Sequence, residues 1–269
     1  MSRRTPNTGG DASGGIVARY CPVKRISVKE IRQMYDVFHQ YYAETDMDTF
    51  IRDLSRKQGV ILIRTRTDQR VVGFSTIVSL DMEIGRLRSR GVFSGDTIIE
   101  REFWGTRKLQ VAFLIYLLRE KLRRPFRPLY WLLISKGYKT YLLMANNFHN
   151  YYPHPEQSNP ELLPVIRHYC DAMFPGHYDP DRGVLDFGEG AQHLKGEVAA
   201  ITDDLKQRVP KIRFFEECNP TWHEGTELPC VGQVNLSAVT GFIAKVFRGY
   251  VSSLRTSARS GVMSAEQGQ

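Results

Sequence analysis

Two carboxylates one strand repeat apart are the first residues in this chain that invite a chemical reading. Glu100 and Glu102 fall in the run Thr97-Ile98-Ile99-Glu100-Arg101-Glu102-Phe103, where alternation points both acids to one face and Arg101 to the other. Like charges at that separation hold a proton more tightly than either alone, which suits a general base. The same pair would otherwise make an ion-paired face with Arg86, Arg88 or Arg90. His149 competes for the role, because an imidazole ordinarily titrates near neutrality. It belongs to a second concentration of chemistry that Tyr138 opens and Asn146-Asn147-Phe148-His149-Asn150-Tyr151-Tyr152-Pro153 continues. Amides, phenols and an imidazole with apolar rings between them suit a buried site that positions a polar substrate. A third candidate is Gly105-Thr106-Arg107-Lys108, at the start of an apolar helical run. The free N–H groups and partial positive charge of a helix start attract an anion there, and Arg107 and Lys108 add charge.

The elements that must carry these groups can be read from periodicity. Ser27 with Glu30 three residues on is a capping box, and Ile31, Met34, Tyr35, Phe38 and Tyr42 then share one helical face. A second short helix follows Asp46. Residues 59–80 hold two β-branched runs around the polar turn Thr67-Asp68-Gln69-Arg70, a hairpin. A third strand is expected over 95–103, an apolar helix over 108–122 and, after Pro125 and Pro128, a strand over 129–135. The segment 138–144 is a helix or loop. Further on, 160–174 and 191–208 read as helices, 211–216 and 230–234 as strands, and Asn235 or Ser237 caps a last helix to Tyr250. Antiparallel strands followed by a strand–helix–strand crossover make a mixed, partly antiparallel sheet flanked by helices, an α+β fold. The expected organisation is a disordered start (1–18), a core (19–153), a C-terminal α/β extension completing the domain (154–255) and a disordered tail (256–269).

Composition narrows the classes. With 42% apolar and 25% charged residues the 269-residue chain is globular rather than disordered. It has no apolar run of about 18 residues, so no membrane span is expected. Residues 1–15 lack the apolar core of a secretory leader, and Cys21, Cys170, Cys218 and Cys230 form no CxxC pair. Both features suggest a reducing, cytoplasmic setting. His149, His154, His168 and His177 match no ligand spacing, so no metal is expected. Cys170 and His168 diverge on a helix, which argues against a cysteine nucleophile. No GxGxxG, Walker or GxSxG motif occurs. The formal charge of +8 favours a polyanionic partner, and seven cations cluster between Arg107 and Arg127.

The element order, with strand, turn and long helix at its centre, resembles the GNAT-type acyltransferase fold over roughly residues 24–153. The resemblance extends to the acyl-homoserine-lactone and N-acyl amino acid synthases. It rests on the stretch TIIEREFWGTRKLQVAFLIYLL, in which Gly105 is the retained glycine of the family's phosphate loop, while Arg107 and Leu109 replace its later glycines. It implies that Gly105, Thr106, Arg107 and Lys108 bind the phosphates of an acyl-CoA or acyl-phosphopantetheine. It also implies that Tyr151 or Tyr152 protonates the departing thiolate. Tyr138, Asn146 and Asn147 would then bind substrate, and Glu100, Glu102 or His149 would take the proton of an amine, before a hydroxyl. The expected partners are acyl-CoA or an acyl carrier protein and a small-molecule acceptor, with membrane-surface contact as a further possibility and no nucleic acid. The competing reading is a non-catalytic protein whose basic stretch 119–127, with Phe126, Tyr130 and Trp131, grips RNA or an anionic membrane.

Overall fold

Among the described residues seven strands form one sheet, in which, counted along the chain, the first five lie side by side in order and the ninth lies between the fifth and the sixth. The structure is a computed structural model that describes residues 15–42, 45–188 and 201–235. The strands are β1 (Ile16–Pro22), β2 (Gly59–Thr65), β3 (Val71–Ile84), β4 (Leu87–Ile99), β5 (Leu129–Ser135), β6 (Tyr151–Tyr152) and β9 (Leu228–Gln233). A separate two-stranded ribbon pairs β7 (Tyr178–Asp179) with β8 (Val184–Leu185). Every neighbouring pair in the large sheet is antiparallel except β4 and β5, which α3 (Lys108–Arg123) connects as a crossover.

Helices cover both faces. On one, α3, α4 (Tyr138–Ala145) and α7 (Pro210–Cys218) pack on Ile61, Ile77, Val92, Trp131 and Cys230. Leu109, Phe113 and Leu117 of α3 repeat every four residues and are buried there. On the other face, α1 (Val28–Tyr41) and α2 (Met47–Ser55) cover Leu62, Phe74 and Ile98, and α5 (Leu163–Met173) covers Phe93, Leu132 and Val231. The capping box is formed, with Ser27 accepting from the Glu30 amide and the Glu30 carboxylate accepting from the Ser27 amide.

Several expectations are corrected. Residues 16–18, assigned to the disordered start, belong to β1, which pairs with β2 along its whole length. The strand expected over 95–103 begins earlier and ends at Ile99, because Leu87–Ser94 pairs with the far half of β3 despite its arginines. Glu100 bonds back to Val72, and residues 101–103 then form a 3-10 turn. Segment 211–216 is helical: Pro210 stands at the first helical position, and Ile212 and Phe215, three apart, are both buried. Residues 203–208 form α6, whereas 191–200, the proposed last helix beyond residue 235, and the tail lie outside the described residues.

A candidate active site where the parallel strands part

The parallel pair β4–β5 keeps register only from Arg90–Leu129 to Ser94–Leu133. The last rung is closed by side chains, with Trp131 Nε1 donating to Ser94 Oγ at 2.8 Å. Beyond it β4 continues to Ile99 beside β3 alone. The Glu100 amide bonds toward β3, so alternation turns the N–H and C=O groups of Thr97 and Ile99 to the opposite edge, facing the gap. Trp104 Nε1 takes up the Ile99 carbonyl at 2.8 Å, and Thr97 is solvent-exposed. An unpaired strand edge of this kind can pair with an extended amide-bearing arm.

On the α3 side the gap opens into a narrow, largely apolar cleft. Ser94, Thr97 and Trp131 form its floor, and Phe113 and Phe148 both line it and pack on Trp131, with ring centres at 5.0 and 5.1 Å. Gln110 and Asn147 supply amides. The start of α3 lies at the same end. Gly105 has φ +83°, a left-handed conformation that side chains disfavour, and a Cβ there would meet nothing within 4 Å. Thr106 Oγ1 accepts from the Lys108 amide at 3.4 Å, which leaves its own proton to donate. The N-cap position, Arg107, makes no side-chain cap. Amides of the first turn therefore remain for an anion, beside Arg107 and Lys108.

On the α1 side the gap is lined by charge. Lys136, the residue after β5, places Nζ 3.3 Å from Glu227 Oε1 and 5.3 Å from the centre of the Tyr42 ring. Glu227 precedes β9, opposite the end of β5, and its backbone is bridged to Leu185. Its side chain is 4% exposed, and Oε2 has no hydrogen-bond partner among the described residues. Burial pushes its pKa up from 4.5 to about 6, Asp96 pushes the same way, and Lys136 opposes both. Asp96, on β4 at the register shift, accepts from Thr76 Oγ1 at 3.4 Å. The Tyr42 phenol is raised by burial first, then by the charges of Asp96 and Glu227, so all three groups feel one another. A buried carboxylate with one committed and one uncommitted oxygen is a proton acceptor in waiting.

The residues singled out from sequence divide accordingly. Gly105, Thr106, Arg107 and Lys108 form the α3 start as expected, and Asn147 lines the cleft. Asn146 is exposed and accepts from Lys211 Nζ at 3.1 Å, and Tyr138 packs at the edge of the core. Glu100 and Glu102 lie beyond the strand, where Arg70 donates to both, with 3.2 Å to Glu102. Arg86, Arg88 and Arg90 are not their partners, and neither acid reaches the gap. His149 is exposed in the turn before β6. Tyr151 and Tyr152 lie on β6, beyond β9, so strand spacing alone puts them about 10 Å from β5. Burial raises both phenols, and Tyr151 packs on Tyr141 and His154. Glu227, Asp96 and Lys136 were not selected from sequence, although Lys136 stands in the unusual run Ser135–Tyr141.

Comparison with known proteins gives no match to a family model or to a curated protein. Among solved structures, an Enterococcus faecalis protein described as a probable N-acyltransferase matches at 15% identity and TM-score 0.35, over 48% of this chain and 32% of its own. A GNAT-family N-acetyltransferase from Escherichia coli, solved with CoA, matches at 11% identity and TM-score 0.33, over 50% and 67%. The N-myristoyltransferase of Saccharomyces cerevisiae with myristoyl-CoA matches at 9% identity and TM-score 0.33, over 51% and 31%. This chain thus spans about a third of the length of the first and last of these.

Proposed function

We propose that this protein is an N-acyltransferase that moves an acyl group from a phosphopantetheine thioester, on CoA or a carrier protein, directly to an amine. One observation carries the reading: a single gap in the sheet joins an apolar cleft beside a helix start to a buried, half-partnered carboxylate on the opposite face. The residues present fit the donor. The first turn of α3 with Arg107 and Lys108 suits its phosphates, the β4 edge at Thr97 and the Ile99 N–H suits its amides, and the cleft between Phe113 and Phe148 suits an apolar chain.

The acceptor approaches from the α1 side, where Asp96 and Glu227 attract an ammonium group, which gives up one proton to solvent and so becomes the free amine that reacts. Its nitrogen attacks the thioester carbonyl, the N–C bond forms and the C–S bond breaks. Glu227 Oε2 takes the proton as nitrogen becomes acidic, and the thiolate leaves. Lys136 keeps Glu227 ionised above about pH 6 despite its burial. This assignment replaces Glu100, Glu102 and His149 as the base. Positioning and charge stabilisation supply the rate, without a covalent enzyme intermediate.

The test is thiol release from short- and long-chain acyl-CoA with a panel of primary amines, alongside the melting temperature with CoA. Turnover that needs the amine, and a melting temperature raised by CoA through mass action, support the reading. Absence of both overturns it.

A further inference from the structure

We infer that the far end of α3 and the loop after it form a docking surface for an anionic lipid bilayer. Phe126 is 99% exposed, Leu122 60% and Ile115 45%; they follow one another along the outer face of α3 and into the loop that ends it. Phe126 is not on a loose tip. Lys121 Nζ donates to the Arg127 carbonyl at 2.9 Å, the Arg127 amide to Arg124 at 3.1 Å, and the Arg90 amide to Pro128 at 2.9 Å. A fully exposed aromatic ring on a pinned loop is ready to bury on contact, since little further ordering is needed.

Around these apolar groups the charge is basic. Arg119, Arg123 and Arg124 are exposed beside them. The nearby acids are answered, Glu120 by Arg90 and Arg123, and Asp81 by Arg127 and Arg124. Three residue pairs further along the β3–β4 hairpin its tip adds exposed Leu87 between Arg86 and Arg88, with Glu83 opposite Arg88. Between hairpin and helix an open polar hollow is bordered by Arg90, Arg119 and Arg123, with Asp81 and Glu120 also in its lining, and a headgroup phosphate would enter beside Arg119.

Apolar side chains ringed by arginine match the bilayer boundary, where aliphatic and aromatic groups enter the acyl region and guanidinium groups meet phosphate. RNA fits less well, because Trp131 is buried, Tyr130 is largely covered, and Leu122, Ile115 and Leu87 give bases nothing to stack on. A second copy would bring arginine against arginine. The inference is independent of the proposed activity.

The test is co-sedimentation of the full chain with phosphatidylcholine vesicles, with and without about 30 mol% phosphatidylserine, at low and high salt. Binding is expected to be about tenfold or more stronger with phosphatidylserine and to weaken with salt. Phe126→Ser with Leu122→Ser should lower it by about tenfold. Arg119→Gln and Arg124→Gln should each lower it by about fivefold, on anionic vesicles only. Val28→Ser, at an equally exposed apolar site on α1, should change nothing. Circular dichroism checks that each variant is folded. The inference fails if parent protein ignores anionic vesicles at low salt, or if the Phe126/Leu122 pair binds them as the parent does. It also fails if the same substitutions abolish self-association or oligonucleotide binding instead.

Discussion

Glu120 and Glu227 have the same side chain and the same burial, 4% exposed, on opposite sides of the sheet, yet they are built for different ends. Glu120 on α3 has both oxygens in use, one with Arg90 at 3.0 Å and one with Arg123. Glu227 has one oxygen on Lys136 and, among the described residues, one on nothing. Desolvating a carboxylate costs several kcal/mol, and a full set of partners offsets it while half a set leaves a residue of reactivity. Glu120 therefore reads as a clamp between α3 and β4. Glu227 keeps one oxygen for the amine in the proposed reaction.

The contrast can be broken experimentally. Glu227→Gln should lower turnover by about two to four orders of magnitude with the fold kept, as loss of a general base does. Lys136→Met should instead move the acid limb of the rate profile upward from about pH 6, because it removes the one group holding Glu227 ionised. If both variants retain parental rates and profiles, Glu227 is not the base. Glu120→Ala should do the opposite: a loss of about 2–3 kcal/mol in denaturant melts, discounted from the buried-pair range because Arg123 is largely exposed, with turnover per folded molecule unchanged.

Stability against pH separates the two further. The folded pKa of Glu227 is raised, so its favourable contribution is complete below about 4.5 and is lost as pH rises through about 6. That amounts to about 2 kcal/mol. Melts across this window should flatten in Glu227→Gln. The smallest effect is expected at the donor end, where Gly105→Ala at φ +83° should cost about 1 kcal/mol. Gly105→Asp, by contrast, should weaken CoA binding in titration well beyond that.

Much of the scaffold was legible because its signals are local. The Ser27–Glu30 box, the four-residue repeat Leu109–Phe113–Leu117 and the strand after Pro128 each declare themselves within a dozen residues. Where local signals conflicted, longer-range pairing won. The arginines of 86–90 disguised half of β4, which β3 holds in place, and Lys-Ile-Arg-Phe alternates like a strand although Pro210 starts a helix there.

The donor half of the candidate site was readable for the same reason: a glycine before an apolar helix fixes a helix start wherever the helix packs. The proton-accepting half was not. Glu100 and Glu102 alternate correctly in sequence, but Arg70, thirty residues earlier, takes both. Glu227 lies between Thr226 and Leu228 with nothing to mark it. Its burial comes from β9 entering the sheet between β5 and β6 and from a bridge to Leu185; Lys136, Asp96 and Tyr42 reach it from three other elements. Sequence alone thus determined α1, α2, α3 and α5, the hairpin and the place where α3 starts, because hydrogen bonding and periodicity act between near neighbours. The tertiary structure alone decided which carboxylate is desolvated and left half-paired, because desolvation depends on whatever the folded chain brings around a group.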